Sequence, residues 1–103
     1  MDATTKDLKI MRRRAGQAAA ILRVLSHEAR LRVLCDLVEG ERTAGDLVDR
    51  SGLSQSALSQ HLGKLRDQGI VTTRRDGQTI YYRLADPDAM RILQTLYDIY
   101  CAK

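Results

Sequence analysis

The sequence contains no tryptophan and no phenylalanine, and four tyrosines make up its whole aromatic content. A core built without large rings has to be filled by aliphatic side chains. One proline and seven glycines exclude proline-rich and collagen-like chains. Two cysteines are too few for a secreted disulfide scaffold, and two histidines leave little for a histidine-based metal site. No stretch approaches the roughly 20 apolar residues of a membrane span, and no signal-type apolar run opens the chain. A cytoplasmic protein without a membrane partner is therefore expected.

The 103 residues make one domain, 1–103, with a single small core and much exposed surface, so pairing with a second copy is expected. With 44% hydrophobic and 29% charged residues the chain is globular rather than disordered. Seventeen Lys and Arg against thirteen Asp and Glu leave +4, a balance that permits a nucleic-acid partner. Part of that excess lies in "KDLKIMRRR" near the N-terminus.

Met11, Ala15, Ala18, Leu22 and Leu25 recur at 4-3-4-3 spacing, the seam of a helix over about residues 7–24 that packs on another helix. Ser26 reads as the cap of the next helix, "HEARLRVLCDLVEG", with Leu31, Leu34, Cys35 and Val38 on one face and Gly40 at its end. "TAGD" has the form of a capping box, Thr43 with Asp46, opening a short helix to about Arg50. Ser54 caps a fourth helix that Gly69 stops. The period then changes from 3.6 to 2: "IVTTRRDGQTIYYRL" is two β-favouring runs joined at Asp76-Gly77, a hairpin turn. Asp86 and Pro87 open a last helix to Cys101. Met90, Leu93, Tyr97 and Tyr100 form one apolar row on it and Ile92, Leu96 and Ile99 another. A helix apolar on two sides predicts a dimer contact, shared with the first helix. The order ααααββα, mainly α with a β-hairpin, is a winged helix-turn-helix.

Within "GLSQSALSQHLGKL", Leu58, Leu62 and Leu65 form one stripe while short hydroxyls and amides, with hardly any charge, lie opposite. Such a face suits a recognition helix in the major groove, where Ser and Gln donate and accept at base edges. Gln55 and Gln60 suit adenine, Ser56 and Ser59 base or phosphate, and Lys64 a phosphate. With Ser54 and His61 on the same helix, and Arg74, Arg75, Gln78 and Arg83 on the hairpin, these are the expected contacts to double-stranded DNA.

The segment Leu25 to Leu84, above all "LSHEARLRVL", "LSQSALSQHLGKLRDQGIV" and "RRDGQTIYYRL", closely resembles the ArsR/SmtB family of bacterial winged-helix repressors, and the flanking helices extend the likeness to nearly the whole chain. The resemblance implies a homodimer that binds a palindromic operator and releases it when an inducer arrives at a second site. Arsenic and cadmium sensors of the family carry cysteines in the segment aligned with "ERTAGDL", where this chain has Thr43 and Gly45. Zinc and cobalt sensors use His and carboxylates on paired last helices; this last helix has Asp86, Asp88 and Asp98 but no His. No metal site and no cofactor are expected. The persulfide- and redox-responsive branch of the family has one cysteine in the second helix and one near the end of the last, the places of Cys35 and Cys101. That likeness implies a sensing pair, linked as a disulfide or polysulfide by a small sulfur or oxidant inducer, with loss of DNA binding.

Three other readings stay open on the residues alone. Cys35 is also what a small buried core residue looks like. A metal-responsive repressor would use the two thiols as ligands with others from elsewhere, and a small dimeric interaction module would turn the polar face to protein. Salt separates the last from a DNA binder, whose affinity falls steeply with ionic strength. Nothing suggests the constellation of an enzyme.

Overall fold

The computed structural model describes residues 2–101. Helix α1 (Thr5–Leu25) starts two residues before its expected bound because Thr4 and Asp7 form a reciprocal capping box, with both hydrogen bonds at 3.1 Å. Helix α2 (Glu28–Leu37) follows after a sharp break. Its cap is His27 and not Ser26: the His27 Nδ1 accepts the Ala29 N–H at 3.2 Å, while the Ser26 hydroxyl turns back to donate to the Arg23 carbonyl and closes α1. The residues of α2 that are fully buried are Val33, Leu34 and Leu37, so its inner face lies a step round from the expected one. Leu31, Cys35 and Val38 pack half-buried along its edge.

A two-residue strand β1 (Arg42–Thr43), too short to show any period, leads into α3 (Ala44–Ser51). Thr43 caps α3 by accepting the Asp46 N–H at 3.1 Å. Asp46 does not complete the expected box; its carboxylate is drawn to Arg42 and Arg50, at 3.0 and 3.1 Å. Gly52, at φ 70°, ends α3 in a left-handed turn that other residues adopt only at a cost. Buried Ser51 ties that turn by donating to the Val48 carbonyl and accepting the Leu53 N–H.

Helix α4 (Gln55–Asp67) closes with a Schellman motif, the Ile70 N–H reaching the Leu65 carbonyl at 2.9 Å and the Gly69 N–H that of Arg66 at 3.0 Å. Strands β2 (Val71–Asp76) and β3 (Thr79–Leu84) form the antiparallel hairpin, and β1 adds on the other side of β3, giving the order β1-β3-β2. Helix α5 (Pro87–Tyr100) starts at the expected Asp86 cap, and Cys101 is its C-cap.

Leu58, Leu62 and Leu65 of α4 meet Leu34 and Leu37 of α2, Leu47 of α3 and Leu93 of α5 in one aliphatic core, each such leucine contributing about 1.5–3 kcal/mol. This burial fixes the opposite face of α4 outward. The helix-turn-helix is α3, its turn and α4, the wing is β2–β3, and the winged helix-turn-helix is thus complete. Leu25 is the sole residue of α1 buried in the core; Leu8, Met11 and Leu22 stand more than half exposed, as do Ile99 and Tyr100 of α5. Among the described residues no helix is long and apolar enough to cross a membrane.

Candidate nucleic-acid interface and thiol pair

With three leucines of α4 buried, Gln55, Ser56, Ser59, Gln60 and Lys64 are exposed, and no side-chain hydrogen bond within the described residues engages them. Ser54 differs: its hydroxyl accepts the Ala57 N–H at 3.1 Å and fixes the start of the helix. His61 differs as well. It is half-buried and turned toward α2, its Nδ1 accepting the Arg30 Nε–H at 3.3 Å and its ring 4.6 Å from that of His27. Burial, with the nearby charges of His27, Arg30 and Lys64, holds the His61 imidazole below its ordinary pKa, so the neutral ring is favoured.

The wing separates its arginines by strand alternation. Arg75 pairs with Ile80, on the same face that buries Val71 further down and packs against α4. Arg74 and Arg83 lie on the opposite face. There Arg74 grips the Glu41 carboxylate with Nε and Nη2, its guanidinium 4.0 Å above the Tyr81 ring. That grip raises the Arg74 pKa and lowers that of Glu41, which Arg83 lowers further. Arg75, Gln78 and Arg83 are exposed at the surface. The α4 face is exposed and mostly polar, with Lys64 as its one cation among these five residues, and the hairpin exposes Arg75 and Arg83; the Arg74–Glu41 pair, across 33 residues of sequence, had no signal in spacing.

The two thiols are both free. Cys35 lies in the last turn of α2, half-buried against the core; Cys101 is exposed at the end of α5. Between them stands Tyr97. Its phenol donates to the Cys35 backbone carbonyl at 3.3 Å, which also accepts the N–H of the Val38 C-cap at 3.3 Å. Tyr97 sits one turn before Cys101, and the Cys101 N–H donates to the Tyr97 carbonyl at 2.7 Å. The phenol is pushed up to about 12, by burial first, then by its hydrogen bond with Cys35 and the charges of Cys35, Cys101 and Asp36. The i, i+4 spacing of Tyr97 and Cys101 is the signal that could have found it. Among the described residues no three His, Cys, Asp or Glu side chains gather as a metal site.

A family model described as "Bacterial regulatory protein, arsR family" matches residues 27–73, which hold α2, β1, α3, α4 and the start of β2. The chain is similar to a biofilm growth-associated repressor of Xylella fastidiosa, 46% identical over 90% of this chain and 82% of that protein. It is 39% identical to the transcriptional activator HlyU of Vibrio cholerae, over 92% of this chain and 88% of the relative. The crystal structure of the transcriptional repressor BigR from Xylella fastidiosa superposes with a TM-score of 0.87 at 44% identity, covering 98% of this chain and 100% of the other.

Proposed function

Because the chain belongs to the ArsR family of bacterial regulatory proteins and is, like its relatives, a transcriptional regulator and not an enzyme, we propose that it is a repressor switched by its own two thiols. It binds a palindromic operator as a homodimer and lets go when Cys35 and Cys101 are joined by a disulfide or polysulfide. The observation that carries this reading is Tyr97, which sits one turn before Cys101 and whose phenol hydrogen-bonds the Cys35 carbonyl, so that α5 is tied to the end of α2.

The second copy covers the exposed apolar residues of α1 and α5, Leu8, Met11, Leu22, Ile99 and Tyr100. In that dimer the exposed faces of the two α4 helices enter successive major grooves, about 34 Å apart. Gln55, Ser56, Ser59 and Gln60 read base edges, Lys64 and the wing residues Arg75, Gln78 and Arg83 hold phosphates, and Ser54 sets the helix start. His61 acts from behind, through Arg30 and His27, and Arg74 through Glu41. Because α5 belongs both to the dimer contact and to the thiol pair, a link from Cys101 to Cys35 alters the spacing of the reading helices. A coupling of only about 1–3 kcal/mol weakens DNA binding some 5- to 150-fold.

The test is release. Operator-bound wild-type protein treated with a hydropersulfide should leave the DNA, while Cys35→Ser and Cys101→Ser should bind operator and stay bound. Release of either single variant would overturn the pair.

A further inference from the structure

We infer that the cleft between α2 and α3 docks the sulfur donor and selects persulfides of amino-acid thiols, molecules carrying a carboxylate and an ammonium together. The inference rests on the thiol-switch reading and adds the identity of the reagent. The cleft is an open groove of about 340 Å3, the size of a small ligand site, lined by Leu31, Arg32, Cys35 and Asp36 of α2 and Arg50 and Ser51 of α3. Cys35 lines it and no residue of α5 does, so filling the cleft leaves the Tyr97–Cys35 hydrogen bond in place.

Its charges are what distinguish it. Arg50 gives its Nε to Asp46, and Arg42, which takes the same carboxylate oxygen, also lies beside Glu39, so these two guanidiniums have two acids between them and the unpaired charges at the cleft are those of α2. Arg32 has no ion-pair partner among the described residues, and neither has the Asp36 carboxylate. The Arg32 guanidinium and the Asp36 carboxylate thus line the cleft with Cys35, with Arg50, which Asp46 already holds, on the α3 side and Leu31 as an apolar wall. A carboxylate docks on the planar fork of an arginine, and an ammonium on Asp36. An alkyl persulfide has neither a carboxylate nor an ammonium and engages neither Arg32 nor Asp36.

The chemistry balances in two steps. The Cys35 thiolate attacks the terminal sulfur of R–S–SH; its new S–S bond forms as the donor's breaks, and the leaving RS⁻ takes up a proton from water, giving Cys35–S–SH and RSH. The Cys101 thiolate then attacks the Cys35 sulfur and expels hydrosulfide, which takes up a proton from water, giving the disulfide and hydrogen sulfide. The two protein thiols lose two electrons and the donor's sulfane sulfur gains them.

The experiment uses the full chain carrying Cys101→Ser, which halts at the first step, and measures by mass spectrometry the rate at which Cys35 gains one sulfur. The probes are cysteine hydropersulfide and ethyl hydropersulfide. The zwitterionic probe should react about tenfold faster, the lower end of what hydrogen bonds to charged groups supply. Arg32→Gln and Arg50→Gln, both surface changes, should each remove most of that preference and leave the ethyl rate unaltered. Equal preference in all variants would overturn the inference, and so would a parallel fall in both rates, which would mean that the arginines act on the thiol. Cys35 modified by both probes without discrimination sinks the cleft alone; Cys35 inert to both sinks the thiol switch with it.

Discussion

Tyr97 on the last helix donates its phenolic hydrogen to the backbone carbonyl of Cys35, 3.3 Å away and 62 residues earlier in the chain. The bond closes the C-terminal end of α2 with a side chain of α5. The helix that carries Cys101 is thereby held to the one that carries Cys35.

Tyr97→Phe keeps the ring and removes the donor, at a cost of about 1 kcal/mol. The sign of the pH effect follows from the raised phenol. Its neutral form is favoured in the fold, so its contribution is complete below the ordinary tyrosine value near 10 and is lost as pH rises toward about 12. Chemical denaturation between pH 9 and 12 should show wild type losing more stability than Tyr97→Phe. Parallel curves would mean that the phenol titrates alike in both states.

His61 gives a slope at the acid end. Its pKa is lowered by burial and by the charges of His27, Arg30 and Lys64, so its contribution is present above the ordinary value of 6.5 and is lost as pH falls below it. His61→Gln, which can still accept from Arg30, should flatten the fall of the thermal midpoint between pH 7 and 5. An unchanged slope would show that another group controls it.

On the reading face, Gln60→Ala should narrow the gap between operator and random duplex by about 1–3 kcal/mol while altering stability little, since the side chain is exposed. The measurement is affinity for both duplexes at one salt concentration. An unaltered gap would remove Gln60 from base readout.

The wing should act unequally. Arg75, on the face toward α4, should hold a phosphate, so Arg75→Ala should weaken all sequences alike and lower the salt slope by about one. Arg74 is occupied by Glu41, and Glu41→Gln, which frees it, should strengthen binding to any duplex. Salt titrations separate these outcomes; Arg75→Ala with an unaltered slope would contradict the assignment.

Much of this was legible from local pattern. The leucine stripe of α4 and the Asp86-Pro87 start declare themselves within a few residues and stand where expected, while the hairpin turn falls one residue later than Asp76-Gly77, on Gly77 and Gln78, because Asp76 still pairs with Thr79 at the end of β2. What stayed hidden was decided by competition or by distance. Ser26 and His27 both suit a cap, and only the backbone bend gives α2 to His27. Asp46 is the right residue for a capping box, yet two arginines draw it away. Strand β1 exists because β3 has a free edge beside it, a fact that two residues cannot announce. The contacts of Arg74 with Glu41 and of Tyr97 with Cys35 span 33 and 62 residues, beyond any periodicity.

The central claim is the intramolecular link, and a non-reducing peptide map of protein released from operator by cysteine hydropersulfide tests it most directly. The account predicts one crosslinked species, the Cys35 peptide joined to the Cys101 peptide of the same chain through two or more sulfurs, formed in step with loss of DNA binding and reversed by dithiothreitol. A link between two chains, or release with both thiols still free, would contradict it.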